Sequence, residues 1–328
     1  MLNSEKIKMK NSQMKLYFLF VPGIILFLSV FSVKAQSTIE KNGFDLSNSS
    51  VSPDKIIDKG PSRESIPSID DPGFLKPSKV DFLQPSDRVL GVTYNYISKA
   101  YPIKILNWHE VVNDYFGDKP VIITYSPLCG SGMAFDAHIG EEDRNFGVSG
   151  LIYNNDILLY DRESETLWSQ IDKKAISGPL KGTEMEYVQT THTTWKKWKE
   201  MYPYSQVLSN ETEYTMDYNE NPYGAYEQQN QVVFPLEHKD DRYHPKTWTL
   251  GIEAEGKFKA YPFEELRKTK GSIHDTFAGK EFVIRFNDNE HFVKIENADK
   301  KEYLSVVMFW FAWVAFHPET EVYTHGER

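Results

Sequence analysis

Short apolar runs separated by polar turns follow one another along the chain from Arg88 onward, and few of them are long enough to form a helix. The run from Val121 to Tyr125 is rich in β-branched and aromatic residues, as expected of a buried strand. Asn154-Asn155-Asp156 separates two such runs and predicts a hairpin turn. The pattern predicts a mainly β fold of the α+β class.

Two shorter segments keep an apolar face at helical spacing. One follows Pro102, a residue that is tolerated in the first turn of a helix, and the other runs from Thr193 to Tyr202. Residues 303–316 form the most apolar run after the N-terminal region, but this run is too short to cross a bilayer as a helix. We therefore predict a buried C-terminal element there.

One part of the sequence occurs twice. Gly91-Val92 and Lys99-Ala100-Tyr101-Pro102 return as Gly251-Ile252 and Lys259-Ala260-Tyr261-Pro262, and the strands that follow match with one position of slip. Two copies at this long period indicate a duplicated unit, since a solenoid needs several shorter repeats. We predict two duplicated β-rich subdomains packed as one globular unit, with a first copy at about 88–137, a connecting segment at 138–247 and a second copy at about 248–297.

The N-terminal region resembles a targeting signal. Residues 1–35 combine several lysines with an apolar run from Leu16 to Val33, and we predict a signal peptide that is cleaved near Ala35. An uncleaved anchor is the alternative, because the run is near the lower limit for a span. We expect an exported protein, periplasmic or secreted. Residues 36–85 lack a periodic apolar pattern and predict a flexible tether before the domain at 86–328.

Charge and cysteine content narrow the classes of function. The formal net charge of the whole chain is −10, and the predicted signal peptide removes more lysines than acids, so the mature chain is more acidic still. No basic cluster follows, so we expect neither nucleic acid nor an anionic membrane as a partner. Cys129 is the one cysteine, so the chain forms no internal disulfide and dithiol redox chemistry is not expected.

The repeat serves as an internal control for candidate chemistry. The first copy carries Trp108-His109-Glu110 and the stretch from Tyr125 to Met133, which includes Ser126 and Cys129, whereas the second copy has unrelated residues near both places. Residues that are needed only for the shared fold are expected in both copies. Those found only in the first copy are therefore better site candidates, unless they fill an interface between the copies.

Each of these candidates has a structural alternative. His109 beside Glu110 suits a base oriented by a carboxylate or a metal ligand, although a single histidine on a helix is often structural. Cys129 precedes a Gly-Ser-Gly turn whose amides could stabilise a thiolate, or it is buried and inert. Together with Met133 and His138, these residues also supply the ligand types of a copper site.

A second group of candidates follows the first copy. Tyr160-Asp161-Arg162 and Leu167-Trp168-Ser169-Gln170 place a carboxylate, a guanidinium, an indole and an amide within a short stretch. Such a set suits a polar ligand with several hydroxyls, or hydrolysis by paired carboxylates. The alternative is an Asp–Arg ion pair beneath a loop. The fingerprints of common serine hydrolases, zinc proteases and dinucleotide enzymes are absent from the sequence.

The sequence also resembles a bacterial family described as domain of unknown function 3179, from about Arg88 to Tyr323. The matching motifs are Tyr101-Pro102, Leu106-Asn107-Trp108-His109-Glu110, Thr124-Tyr125-Ser126-Pro127-Leu128-Cys129-Gly130, Phe146-Gly147-Val148-Ser149-Gly150, Tyr160-Asp161-Arg162, Leu167-Trp168-Ser169-Gln170, Thr194-Trp195 and Phe316-His317-Pro318. The resemblance implies that cysteine is common at the position of Ser126, and that Cys129 occupies a position of cysteine or threonine. It implies no activity, substrate or cofactor.

We therefore expect a polar ligand-binding or enzymatic pocket in the first copy and the segment after it. The catalytic candidates are His109, Glu110, Cys129, Asp161 and Arg162. The ligand-binding candidates are Trp108, Tyr125, Ser126, Tyr160, Trp168, Ser169 and Gln170. The ligand is a small molecule or a surface glycan of undefined identity, and the sequence defines no cofactor, metal or reaction class.

Two alternatives remain open. The first is a non-catalytic exported module that holds a partner through the tyrosine-rich loop at 209–230. It predicts an exposed patch of Tyr214, Tyr218, Tyr223 and Tyr226. The second is a copper-binding redox protein, which requires His109, Cys129 and a second histidine around one metal.

Overall fold

A computed structural model describes residues 39–269 and 271–326, and the predicted signal peptide lies outside them. The strands before the second occurrence of the repeat are β1 (Glu40–Lys41), β2 (Phe44–Asp45), β3 (Phe74–Leu75), β4 (Arg88–Tyr94), β5 (Ile97–Pro102), β6 (Val111–Phe116), β7 (Lys119–Ser126), β8 (Ser131–Asp136), β9 (His138–Ile139), β10 (Glu142–Asp143), β11 (Phe146–Tyr153), β12 (Asp156–Asp161), β13 (Leu167–Ser169), β14 (Lys174–Ser177), β15 (Tyr187–Val188), β16 (Thr190–Thr194) and β17 (Gln206–Leu208). The later strands are β18 (Trp248–Ala254), β19 (Lys257–Pro262), β20 (Ile273–Phe277), β21 (Lys280–Asn287), β22 (Phe292–Asn297), β23 (Ser305–Phe309) and β24 (Glu321–Val322).

The helices are short, and each follows a strand. They are α1 (Ile103–His109), α2 (Trp195–Met201), α3 (Phe263–Leu266) and α4 (Trp310–Phe316). Single turns of 3-10 helix cover Pro53–Lys55, Pro77–Lys79, Tyr226–Gln228 and Asp288–Glu290. The first two helices confirm those predicted from the apolar spacing. The hairpin at Asn154 and Asn155 is also formed, with both residues at the positive φ that such a turn requires.

The larger sheets are arranged as the five blades of a β-propeller. In the strand order of each sheet, blade 1 is β16-β4-β5-β17-β3, blade 2 is β15-β8-β7-β6, blade 3 is β11-β12-β13-β14, blade 4 is β23-β18-β19-β24 and blade 5 is β20-β21-β22. The mainly β prediction is confirmed. The propeller is more specific than the α+β arrangement of two subdomains that we expected.

Blades 4 and 5 repeat the order of elements and the pairing of blades 1 and 2. Each half begins with a hairpin, β4-β5 or β18-β19, which is followed by a short helix and three antiparallel strands. A later strand, β16 or β23, joins the sheet of the hairpin. After one more helix, the strand β17 or β24 pairs in parallel with the second strand of the hairpin. This arrangement extends to residues 190–208 and 305–322, beyond the copy boundaries predicted from the sequence. Blade 3 lies in the predicted connecting segment, and the described residues of the later half form no counterpart to it.

A close approach of backbone and indole holds the helix against the sheet in each half. A Cβ atom added at Gly91 would lie 1.9 Å from the ring of Trp198, and one at Gly251 would lie 2.0 Å from Trp313. Both tryptophans are buried. Glycine is therefore required at these two positions because any side chain would overlap a rigid ring.

The described part of the predicted tether packs against the propeller. Leu46, Ile56 and Ile69 are buried, and Ile57 and Ile69 form β-bridges to blades 3 and 2. Phe74–Leu75 adds a fifth strand to blade 1. The flexible tether that we predicted is thus wrong for residues 39–85, since a few well-spaced apolar residues are enough to fix an irregular segment on a sheet surface.

The apolar run near the C-terminus lies in the interior. It forms β23 and α4, and Trp310 and Trp313 are both buried there. No helix within the described residues is long and apolar enough to cross a membrane.

Candidate functional site

A long irregular segment covers the ends of α1 and β7, where the first copy carries its distinctive residues. We call residues 209–247 the covering segment. It is fixed at one end by Lys246, whose ammonium group donates to the backbone oxygens of Tyr226, Gln229 and Gln231 at 3.0, 2.7 and 2.7 Å. Burial lowers the pKa of Lys246 to about 8. Beneath this segment lies a group of buried polar side chains.

His109 is held in place by two hydrogen bonds. Its Nδ1 lies 2.8 Å from the carbonyl oxygen of Pro67, and its Nε2 lies 2.7 Å from the hydroxyl of Tyr218 in the covering segment. Burial lowers the pKa of His109, so the ring is neutral near pH 7. Both ring nitrogens are occupied in this structure, and His109 anchors the covering segment through Tyr218.

Glu110 is the most unusual residue of the group. It ends α1 with a φ of 59°, a left-handed conformation that costs energy for a residue with a side chain. Its Oε1 accepts a 2.7 Å hydrogen bond from Tyr223, whereas its Oε2 is buried without a partner. Burial raises the pKa of Glu110 to about 7, so its carboxyl group is available as a hydrogen-bond donor.

Arg88, at the start of β4, faces the same region. Its guanidinium contacts the carboxylate of Glu227 in the covering segment and lies 5.0 Å from the centre of the Trp248 ring. Burial acts to lower the pKa of Arg88, but Tyr125 and Glu227 outweigh it, so the pKa is raised and the cation is retained. Burial also raises the pKa of Tyr125 to about 12. Glu110 is linked to this region through the backbone, because its carbonyl oxygen accepts a 2.8 Å hydrogen bond from the N–H of Tyr125.

Cys129 lies behind this group as a fully buried thiol. Burial, followed by the nearby carboxyl of Asp156, raises its pKa well above the usual value, so the reactive thiolate is not formed. Ser126 lies between Cys129 and Asp156, but its hydroxyl makes no hydrogen bond of regular geometry. Burial also raises the pKa of Asp156. The turn after Cys129 packs against Trp248, because a Cβ atom added at Gly130 would lie 2.8 Å from its ring.

The second group of predicted residues lies in blade 3 and forms structural contacts. Asp161 accepts hydrogen bonds from Arg144 at 3.0 Å and from the indole of Trp168 at 2.9 Å. Arg162 pairs instead with Glu64 and Asp70 of the N-terminal segment. The remaining members are likewise engaged: Tyr160 with Glu64, Ser169 with Asp172, and Gln170 with Thr124 and Ser131.

The predicted residues therefore do not converge on one pocket. Glu110, Tyr125, Ser126 and Cys129 lie together, and Trp108 contacts the covering segment through a 3.1 Å hydrogen bond to the Glu220 oxygen. Of the residues from Tyr160 to Gln170, Asp161 and Trp168 bond to each other within blade 3, whereas Gln170 bonds to Thr124 and Ser131 of blade 2. The ion-pair alternative describes the contacts of Asp161 and Arg162 better than the ligand-binding interpretation does.

The copper arrangement is not formed. No group of three or more histidine, cysteine or acidic side chains suited to a metal occurs among the described residues. His109 is occupied on both nitrogens, and His138 is exposed and paired with Asp143 at 2.6 Å.

The tyrosine patch predicted for the loop at 209–230 is not exposed. Tyr218 and Tyr226 are buried, and Tyr214 and Tyr223 are half-buried. Their hydroxyls point inward, to His109, to the Leu128 oxygen, to the Ser68 oxygen and to Glu110. The loop therefore closes the site instead of presenting aromatic rings to a glycan.

The sequence analysis missed Arg88, Glu227 and the buried histidines around Trp248. Burial lowers the pKa of His192 to about 3, and it lowers that of His291 well below the usual value, so both rings are neutral. A comparison of the two halves could have identified Arg88, because the equivalent position in the later half is Trp248. Glu227 carried no signal, since it lies in a loop outside both copies.

A small cavity adjoins the group at Arg88. It encloses about 180 Å³ between α1 and the covering segment, with Asp87, Arg88, Ile103, Lys104, Asn107 and residues 218–221 as its walls.

The pH dependence of stability is expected to report on Glu110. Its folded-state pKa is raised to about 7, so its contribution is fully present below the unfolded pKa near 4.5 and is lost as the pH rises through 7. We expect it to reduce the free energy of unfolding by roughly 1.4 kcal/mol per pH unit between pH 5 and 7. Urea unfolding at several pH values should show this slope, and Glu110→Gln should flatten it. Equal slopes in both proteins would contradict the assignment.

Comparison with known proteins fixes the family. The family described as "Protein of unknown function (DUF3179)" matches residues 63–304. The chain therefore belongs to this family, and the resemblance noted in the sequence is confirmed. Neither a curated protein nor a solved structure matched the chain.

Proposed function

We propose that this protein binds a small carboxylate-bearing molecule at the covered group formed by Arg88, Glu110 and Tyr125. One observation carries the proposal: the carboxylate of Glu227 occupies the Arg88 guanidinium, which faces Tyr125, while Glu110, whose backbone oxygen accepts from the Tyr125 N–H, keeps a buried side-chain oxygen without a partner. Buried polar atoms without partners are rare, because each costs about 1–3 kcal/mol. A ligand that satisfies this oxygen recovers that energy.

The side chain of Glu227 occupies the position on Arg88 that we propose for a carboxylate of the ligand. It brings a carboxylate to a guanidinium that is stacked near Trp248 and faces Tyr125, and charge-assisted bonds of this kind are the strong ones in recognition. A free carboxylate would replace Glu227 on Arg88, and the protonated form of Glu110 would donate to a second oxygen of the same molecule. The adjoining cavity has room for roughly six water molecules, which limits the ligand to a small acid.

The later half of the chain supports this location. We infer that the two halves are copies of one ancestral unit, since their elements and pairings agree. By the register of the strands, Arg88 corresponds to Trp248 and Tyr125 to Phe286. Both polar side chains are thus replaced by aromatic side chains in the later copy, although the strands and their pairing are the same. The site belongs to the first copy alone.

We also propose that the chain acts after export. The support is the N-terminal pattern of lysines, apolar run and cleavage motif at residues 1–35. N-terminal sequencing of the protein recovered from outside the cytoplasm should begin at Gln36. An intact N-terminus would contradict cleavage there.

The binding proposal is tested by thermal unfolding in the presence of succinate and of succinamide, its uncharged analogue. We expect succinate to raise the melting temperature in a saturable manner and succinamide to have little effect, because a ligand stabilises only the state that it binds. Arg88→Gln should abolish the shift. Glu227→Gln should strengthen succinate binding by about tenfold, because it removes the internal competitor.

The matched control is Arg242→Gln, which removes an exposed arginine paired with Asp240. It should leave the succinate shift unchanged. Equal stabilisation by succinamide, or a full succinate shift in the Arg88→Gln protein, would overturn the proposal.

A further inference from the structure

A groove lies between blades 4 and 5. It encloses about 980 Å³ and runs between two strand edges, that of β20 in blade 5 and that of β24 in blade 4. Both strands are the outermost members of their sheets. Its walls include Lys259, His274, Asp275, Arg285, Val322 and Tyr323.

In the first half of the chain, the corresponding space is filled by the protein itself. Ile69 bridges to Val112 of β6, with a 2.9 Å hydrogen bond from its N–H to the Val111 oxygen. A few residues later, Phe74 and Leu75 pair with β17. Residues 69–75 thus cross from the edge of blade 2 to the edge of blade 1.

Side chains of this crossing segment seal the space. The ring of Phe74 lies edge-on against Tyr101, with 6.0 Å between the centroids, and 4.0 Å from the ammonium of Lys99. Asp70 accepts a 2.6 Å hydrogen bond from the side chain of Asn113. An aromatic ring and an acid four positions apart therefore provide the side-chain contacts.

The groove of the later half has the same walls without the crossing segment. Lys259, Tyr261 and Asp275 repeat the contacts of Lys99, Tyr101 and Asp114: the ammonium lies 2.7 Å from Asp275, and the Tyr261 hydroxyl donates to Asp275 at 2.8 Å. By register, Ile273 corresponds to Val112, and Tyr323 to Leu208. His274 corresponds to Asn113, whose N–H donates to Ile69, so the His274 N–H faces the groove.

We propose that this groove binds an extended segment of a partner protein that carries an acidic residue and, four positions later, an aromatic residue followed by an aliphatic one. The segment would add strand pairing to the edges of β20 and β24, a recurring mode of peptide recognition. Its aromatic ring would cover Lys259 as Phe74 covers Lys99. Its acid would face His274 and Arg285, which stand where Asn113 and Thr124 stand in the first half.

The chain supplies its own probe for this test. A labelled synthetic peptide of residues 66–77 contains Asp70, Phe74 and Leu75 at the required spacing. Fluorescence anisotropy with the mature protein should show saturable binding of one peptide per chain, with a dissociation constant on the order of 10 to 100 μM. A peptide with Phe74→Ala should bind at least about tenfold more weakly, because the aromatic anchor is lost.

Two protein variants locate the binding. Val322→Pro removes an N–H from the outer edge of β24 and leaves the inward hydrogen bond of Tyr323 to Ala260, so the fold should survive while peptide pairing is lost. Thermal unfolding checks that the variant is folded. His274→Asp, an exposed substitution on the groove wall, should weaken binding through repulsion of the peptide's acid.

The proposal is overturned if no saturable binding occurs up to about 1 mM peptide, because a dissociation constant above that concentration means only weak binding. It is also overturned if the folded Val322→Pro protein binds as tightly as the wild type, since the peptide would then displace residues 69–75 from the first half. Self-association in sedimentation experiments that Val322→Pro abolishes would make a second copy of this chain the occupant, against the proposal.

Discussion

Replacement of Gly91 by alanine is expected to destabilise the protein by more than about 3 kcal/mol, at the upper end of overpacking effects. The added methyl group would lie 1.9 Å from the ring of Trp198, which is fully buried and cannot rotate away. Either β4 or α2 must shift, and both contribute to the core of blade 1. Urea unfolding monitored by tryptophan fluorescence measures the loss.

Gly73→Ala is the matched control, because a Cβ atom there would meet its nearest neighbour at 3.9 Å. It should change the free energy of unfolding by less than about 0.5 kcal/mol. Combining Gly91→Ala with Trp198→Leu should restore part of the lost stability, since the second substitution removes the ring. If Gly91→Ala is as mild as the control, the close approach is not rigid.

Replacement of Lys99 by methionine is expected to cost about 3–5 kcal/mol, the usual effect of breaking a buried ion pair from one side. The ammonium of Lys99 donates to both oxygens of Asp114, at 2.8 and 2.9 Å, and to the carbonyl of Tyr115 at 2.8 Å. Methionine conserves volume but leaves the Asp114 carboxylate buried without its cation. Equilibrium unfolding in urea provides the measurement.

The repeat offers the control for this substitution. Lys259 pairs with Asp275 in the same way, but its side chain is 10% exposed and that of Asp275 is 16% exposed, against 6% and 5% for the first pair. Water reaches the second carboxylate more easily, so Lys259→Met should cost roughly 1–2 kcal/mol. Equal costs at the two positions would show that burial by Phe74 and its neighbours does not govern the energy of the pair.

The local elements could be predicted from the sequence because they depend on neighbouring residues. The strand at Val121–Tyr125, the helix after Pro102 and the turn at Asn154–Asn155 follow from propensity, spacing and backbone conformation. The propeller could not be predicted in this way. Its blades combine strands distant along the chain, as in blade 1, where β3 and β16 belong to one sheet.

The candidate site was predicted only in part, and the reason is the same. The comparison of the two copies selected Glu110 and Tyr125, which remain in the proposed site. Asp161 and Arg162 were selected instead from the residue types in a short stretch after the first copy, and their partners Arg144 and Glu64 cannot be inferred from local spacing. Glu227 was missed because the position of a long loop over a site depends on tertiary contacts, which no periodic pattern records.

Blade 3 enters and leaves the propeller at adjacent residues. The sheet of blade 2 continues on both sides of this insertion. The N–H of Asp136, at the end of β8, donates to the Glu186 oxygen at 2.9 Å, and Phe135 lies opposite Tyr187 of β15. All strands of blade 3 lie between these two points, so its pairing closes only short loops. Blade 1, by contrast, must gather residues from Phe74 to Leu208. Because local pairings form faster than distant ones, we expect blade 3 to form before blade 1.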